Sequence, residues 1–164
     1  MRCYNIVLKT SDSVSGDVDE DGDTSTASMT YAFDWSFIPD GDYELSYTFK
    51  TDRFEDSAFT LPHAISLPDF HFNSYSAGSK ITAQTNSIIG VNEAVLVSET
   101  GTSVAMAKHC SDNKPIIVRN PGTFAQVFRV HLVGTDGVLQ TSENITSYML
   151  ILTLKKICSC DSYK

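Results

Sequence analysis

The chain has 164 residues, of which 41% are hydrophobic and 20% are charged, a balance typical of a folded globular protein and not of a disordered one. Twelve basic and twenty acidic residues give a formal net charge of −8, which argues against nonspecific nucleic-acid binding, because such binding needs Lys and Arg to neutralise phosphates. The length predicts a single domain over residues 1–164.

Apolar side chains at every second position are the dominant pattern, and this period indicates β-strands. Near the N-terminus the pattern covers 3–9, 30–37 and 42–50, and the turn signal "IPDGD" separates the last two segments. The apolar faces predicted for these three segments consist of Tyr4, Ile6 and Leu8; of Tyr31, Phe33, Trp35 and Phe37; and of Tyr43, Leu45, Tyr47 and Phe49.

Two further strands are predicted near the C-terminus, over 124–133 and 147–156. Their apolar faces consist of Phe128, Val130 and Leu132, opposite Val127, Arg129 and His131, and of Tyr148, Leu150, Leu152 and Leu154, opposite Met149 and Ile151. Weaker strand candidates are 57–61, 64–72, 79–85, 93–98, 103–107 and 115–119. Short strands separated by turns predict an all-β sandwich or barrel. The core predicted from these faces is Tyr31, Phe33, Trp35, Phe37, Tyr43, Leu45, Tyr47, Phe49, Phe128, Val130, Leu132, Leu150, Leu152 and Leu154.

The acidic stretch "GDVDEDGDTSTAS" (16–28) resembles the start of a calcium-binding loop. Its candidate ligands are Asp17, Asp19, Asp21 and Asp23, with a glycine at the turn. A helix–loop–helix calcium site also needs a carboxylate at loop position 12, and that position is Ser28. Because the flanking segments are strand-like, the sequence favours a solvated acidic loop, with a weak cation site as the alternative.

Residues suited to catalysis occur without a catalytic motif. His63, His71, His109 and His131 include no His-x-His pair and are interpreted as isolated surface or edge residues. The acidic candidates for a glycosidase-type pair are Asp34, Glu44, Asp52, Glu55, Asp56 and Asp69, and a pair of this kind is a property of the folded structure. We therefore expect no enzymatic activity and no cofactor. Trp35 could belong to a sugar-stacking platform, but its aromatic neighbours favour the core.

We expect neither a signal peptide nor a membrane-spanning segment in this sequence. The start "MRCYNIVLKTSDS" has no apolar run of signal-peptide length, and the longest apolar stretch, "YMLILTL", is too short to span a bilayer. The four cysteines are accordingly predicted to be reduced thiols.

The order of segments resembles the single jelly-roll minor capsid proteins of the nucleocytoplasmic large DNA viruses, the giant viruses of algae and protists. The similarity lies in "YNIVLKTSDSVSG", in "YAFDWSFIPDGDYELSYTF", and in the pair "FAQVFRVHLVGTDG" and "YMLILTL". The resemblance implies an eight-stranded jelly roll and a non-enzymatic structural role in the virion.

A protein of that family would be made in the host cytoplasm and built into the capsid as a cement or vertex component. Its partners would be the major capsid protein and other minor capsid proteins, with self-association left open. A carbohydrate- or receptor-binding jelly-roll module, lectin-like or tumour-necrosis-factor-like, is the alternative, and a hydrolase on the same scaffold is a third hypothesis.

Overall fold

A computed structural model describes residues 2–18, 24–51, 64–70, 88–99, 102–109, 116–133 and 147–157 of the chain. These residues form ten strands joined in part by three short 3-10 helices, Thr10–Asp12, Trp35–Phe37 and Pro121–Thr123. The strands are β1 (Cys3–Lys9), β2 (Ser15–Val18), β3 (Thr24–Ala32), β4 (Asp42–Thr51), β5 (Ala64–Ser66), β6 (Ile88–Glu99), β7 (Thr102–His109), β8 (Ile116–Arg119), β9 (Val127–Val133) and β10 (Tyr148–Lys156). The predicted all-β fold class is confirmed.

The strands form two antiparallel sheets that share one long strand. Sheet A begins with the order β1-β10-β4. On the side of β4 that faces away from β10, β8 pairs with the start of β4 and β7 pairs with residues near its end. Sheet B has the order β2-β3-β9-β5. The first residues of β6 pair with β5, and its residues from Asn92 onward pair with β7, so β6 passes from sheet B into sheet A.

The strand pairs are nested along the chain. The first strand pairs with the last, β3 with β9, β4 with β8 and β7, and β5 with β6. Each pair therefore encloses the next one in sequence, as in a single long antiparallel ribbon. Further pairing of β10 with β4 and of β9 with β5 folds that ribbon over itself into two layers.

The core lies between the two sheets and is formed by the inward faces that the alternation predicts. Within the predicted set, the buried residues are Tyr31, Trp35, Tyr43, Leu45, Tyr47, Phe49, Phe128, Val130, Leu132, Leu150, Leu152 and Leu154. Phe33 is half-buried against this cluster. Ile6, Leu8, Met29, Ile65, Leu67 and Phe70 are also in the core.

The prediction that Phe37 belongs to the core is wrong, and so is the single strand over 30–37. Strand β3 ends at Ala32, and the Asp34 carboxylate accepts a hydrogen bond from the Ser36 backbone N–H at 3.0 Å, which caps a 3-10 helix over Trp35–Phe37. The alternation of a strand ends where this helix begins. Trp35 therefore points into the core, whereas the Phe37 side chain is 75% exposed.

The weaker strand predictions differ in extent from the structure. In the segment 64–72, the described residues 64–70 contribute the three residues of β5, and the segment 93–98 is part of the longer β6. The structure adds β2, which has no apolar alternation and was not predicted. The candidates 57–61 and 79–85 lie outside the described residues.

Tyr31 and Tyr148 join the two sheets inside the core. Their hydroxyl oxygens are 3.0 Å apart, with Tyr31 on β3 of sheet B and Tyr148 on β10 of sheet A. Burial raises the pKa of Tyr31 to about 12, although the hydrogen bond with Tyr148 works in the opposite direction. Burial also raises the pKa of Tyr148 well above its ordinary value. Both hydroxyls are therefore protonated, and their hydrogen bond satisfies polar atoms that would otherwise be costly to bury.

Candidate docking surface

The acidic stretch lies at the connection between β2 and β3. Asp17 is on β2 and pairs in register with Ser25 of β3, beside a register shift between Gly16 and Asp17. Asp19, Asp21 and Asp23 lie outside the described residues. Among the residues that the structure does describe, no group of three or more His, Cys, Asp or Glu side chains could hold a metal ion. The solvated acidic loop favoured by the sequence, and its alternative of a weak cation site at 17–23, both stay predictions.

Three of the candidate carboxylates lie in the described part of the chain, and each has a different partner. Asp34 caps the 3-10 helix, and the hydrogen bonds with Ser36 lower its pKa. Glu44 forms an ion pair with Lys155 at 3.4 Å. Asp69 binds Arg129. The other three candidates, Asp52, Glu55 and Asp56, fall outside the described residues.

The Asp69–Arg129 pair ties the segment that follows β5 to β9. One Asp69 carboxylate oxygen, Oδ2, accepts hydrogen bonds from the Arg129 backbone N–H at 2.7 Å and from its Nε at 3.1 Å. The other oxygen, Oδ1, accepts a hydrogen bond from Nη2 at 2.7 Å. These bonds, led by those from the guanidinium, lower the pKa of Asp69, and the charge of nearby His131 lowers it further. A bidentate pair of this kind fixes direction as well as distance.

Ser28, His131 and Ser66 form a buried polar row across three neighbouring strands of sheet B. His131 on β9 lies opposite Ser28 on β3 and opposite Ser66 on β5. All three side chains are on the outward face of the sheet, yet each is at most 4% exposed. The interpretation of His131 as a surface or edge histidine is therefore wrong. With so little exposed surface, these three side chains offer no contact to an external substrate.

The outward face of β1, β10 and β4, which we call the lysine face, is accessible in a way that the polar row is not. One row across these strands consists of Val7, Ile151 and Thr48, and the next consists of Lys9, Met149 and Lys50. Val7 is 45% exposed, and Met149 and Ile151 are half-buried. The members of the face are Cys3, Asn5, Val7, Lys9, Met149, Ile151, Thr153, Lys155, Glu44, Ser46, Thr48 and Lys50.

The lysine face carries positive charge on a chain that is acidic overall. It contains three lysines and one glutamate, and the glutamate is already paired with Lys155. Lys9 and Lys50 form no ion pair with the other described residues. The face therefore presents the apolar side chains of Val7, Ile151 and Met149, with the two lysines on either side of Met149, and this arrangement suits a protein surface with apolar and acidic groups.

Sequence reasoning missed the lysine face because its charged residues are far apart in the chain. Lys9, Lys50 and Lys155 each occur on a different strand, and no basic run brings them together. Only the register of β1, β10 and β4 places them on one face. The outward alternation of each strand could have indicated the face, but only with the strand order already known.

Comparison with known proteins adds no relative. No protein-family model matches this chain, and no curated protein or solved structure is significantly similar to it. Among the described residues, no helix is both long and apolar enough to cross a bilayer.

Proposed function

We propose that this chain is a non-enzymatic structural protein of a virus particle, a minor capsid component that docks against larger capsid proteins. The observation that carries the docking role is the lysine face, an open sheet surface on which Val7 and Ile151 lie beside the row of Lys9, Met149 and Lys50. The assignment to a capsid rests on the resemblance of the sequence to the minor capsid proteins of the giant viruses. The partners proposed are the major capsid protein and other minor capsid proteins.

The nested strand pairing supports the jelly-roll interpretation. A jelly roll contains eight strands in two sheets, arranged as two Greek keys. The four nested pairs account for eight such strand positions when β7 and β8, which both pair with β4, are counted as one interrupted strand. Strand β2 is then a short addition at the border of sheet B.

The geometry of the lysine face supports docking by a rigid surface. Strands β1, β10 and β4 pair without a register shift, so their outward side chains form regular rows. Rigid surfaces bind with a smaller loss of conformational entropy than mobile ones. Apolar residues at the centre of an interface contribute most of the binding energy, whereas charges at its border set specificity and association rate.

The carbohydrate-binding alternative has less support. A stacking platform needs an exposed aromatic ring, and the Trp35 side chain is only 3% exposed. Its indole N–H donates to the Ala125 carbonyl at 3.1 Å, and its ring contacts four phenylalanines. The hydrolase hypothesis is also less well supported, because Asp34, Glu44 and Asp69 are engaged with separate partners.

The proposal is tested in purified virus particles, by mass spectrometry for the chain and by cryo-electron microscopy for its density among larger coat subunits. We expect Lys50→Gln, on the lysine face, to reduce incorporation several-fold. Gln126→Glu changes the net charge by the same single unit at an exposed residue outside the face, and it should leave incorporation unchanged. Absence of the chain from particles would refute the proposal.

A further inference from the structure

Strand β1 is the last strand of sheet A, and its backbone is bonded on one side only. The carbonyl of Arg2 accepts a hydrogen bond from the Lys156 backbone N–H at 3.1 Å, so Arg2 and Lys156 are a hydrogen-bonded pair. Bonded pairs alternate along an antiparallel ladder, and the register runs without a shift from Cys3 to Lys9. The backbone groups of Tyr4, Ile6 and Leu8 therefore point toward β10.

The backbone groups of the other four residues of β1 point to the open side of the strand. These residues are Cys3, Asn5, Val7 and Lys9, and all four are exposed. Within the described part of the chain, the open side of β1 has no strand partner. Four N–H groups and four carbonyls thus form a regular row that a further strand could bind.

The β1 edge lacks most of the features by which proteins protect exposed strands. Such edges are commonly shortened, interrupted by a bulge or proline, or covered. The border strand of sheet B follows that pattern, because β2 has four residues and a register shift between Gly16 and Asp17. By contrast, β1 has seven residues without a shift or proline, and Lys9 is its only charged side chain.

The charges around the β1 edge favour an acidic partner segment. Arg2 and Lys9 stand near the two ends of the edge and are exposed, and the first carboxylate along the chain is Asp12. We propose that the β1 edge binds an extended acidic segment of a partner capsid protein by β-strand addition. This inference names the partner segment for the proposed function and rests on it.

A second copy of the chain is a weaker candidate for this edge. Antiparallel pairing of two β1 strands about Ile6 would place Lys9 opposite Cys3 of the second copy. It would also bring Arg2 and Lys9 of both copies into one interface, where these positive charges repel each other. The two molecules repel each other as well, because each carries a net charge of −8. An acidic segment instead neutralises the edge, and main-chain hydrogen bonds supply its affinity.

The experiment measures amide hydrogen exchange of the full chain by NMR. The probe is a synthetic seven-residue peptide of alternating valine and threonine with glutamate at both ends. Without peptide, the Tyr4, Ile6 and Leu8 amides should exchange slowly and those of Asn5, Val7 and Lys9 rapidly. Saturating peptide should slow the second group about tenfold. A peptide with lysine at both ends should leave the exchange rates unchanged.

Two variants test the role of the backbone edge and its charge. Val7→Pro removes an N–H that points away from β10, so it should abolish the peptide effect, whereas Val7→Thr keeps that N–H and should retain it. Lys9→Glu should weaken peptide binding about tenfold without a backbone change, and it remains informative if the proline variant does not fold.

Several outcomes would overturn the inference. One is unchanged exchange of Asn5, Val7 and Lys9 with the acidic peptide, and another is equal protection by the lysine peptide. A doubled molecular mass with those amides already slow in the absence of peptide would assign the edge to a second copy. A chain found in particles but with an edge that binds no peptide would refute only this inference. A chain absent from particles would refute the proposed function, whatever the exchange result.

Discussion

Replacing Trp35 with alanine should cost about 3–5 kcal/mol of unfolding free energy. The Trp35 ring is buried among four phenylalanines, and its centroid lies 5.0 Å from that of Phe33, 5.4 Å from Phe70, 5.3 Å from Phe124 and 5.6 Å from Phe128. Each such aromatic contact contributes about 0.5–1.5 kcal/mol beyond burial. The substitution also leaves the Ala125 carbonyl without the indole N–H that it accepts at 3.1 Å.

The matched control is Phe37→Ala, which removes a large aromatic ring from the same 3-10 helix. Because Phe37 is 75% exposed, this change should alter the unfolding free energy by no more than about 0.5 kcal/mol. Urea unfolding followed by far-ultraviolet circular dichroism measures both, since Trp35 is the single tryptophan and its fluorescence is lost in the variant. For a chain of this size, each kcal/mol corresponds to about 2–4 °C in melting temperature.

The reasoning would be refuted by equal losses in the two variants, or by a cost below about 1 kcal/mol for Trp35→Ala. Either result would mean that the indole ring is not packed among these four phenylalanines. Trp35→Phe refines the test, because it keeps an aromatic ring in the core while removing the N–H donor. We expect it to be destabilising by less than the alanine variant.

The remaining predictions concern single polar interactions. Asp69→Asn should lower the free energy of unfolding at pH 7, measured by chemical denaturation, by about 1 kcal/mol. Because Arg129 lowers the pKa of Asp69 in the folded state, the ion pair stabilises the fold above the unfolded-state pKa of about 3.9, and this stabilisation is lost as the pH falls through the folded-state pKa. The unfolding free energy of the variant should therefore change less with pH in the acid range. Because the pKa of Tyr31 is raised to about 12, the stabilisation from its protonated hydroxyl is complete below a pH of about 10 and is lost as the pH rises toward 12. A double-mutant cycle of Tyr31→Phe with Tyr148→Phe should give a coupling energy of about 1 kcal/mol, and the variants should lose less unfolding free energy at alkaline pH. Asn120 has a φ of 43° and its side chain accepts a backbone N–H, so calorimetry should rank Asn120→Ala as more destabilising than Asn120→Gly, which loses only the hydrogen bond.

Strands with one face in the core could be predicted from the sequence because burial selects alternate residues. Tyr43, Leu45, Tyr47 and Phe49 follow that rule, and all are buried in β4. The same rule failed at Phe37, where aromatic residues keep a spacing of two although the backbone has become a 3-10 helix. The deciding contact there is a local hydrogen bond from Ser36 to Asp34, which alternation does not reveal.

The candidate surfaces were less predictable than the core, because they depend on which strands are neighbours. His131 occupies an outward position that is ordinarily exposed, yet it is buried in the folded chain. Lys9 and Lys50 become members of one face only through the pairing of β10 with both β1 and β4. Strand order is a long-range property, and a single sequence shows it only where a resemblance supplies it.

The central place of β10 in sheet A has a consequence for biosynthesis. Strand β10 lies between β1 and β4, but its residues leave the ribosome after those of the other nine strands. Until β10 is synthesised, β1 and β4 both lack the strand with which they pair in the folded protein. Their apolar faces and unbonded edges are then exposed to other nascent chains. We expect the incomplete chain to depend on chaperones and to aggregate when synthesis stops short of Tyr148, because exposed strand edges promote intermolecular pairing.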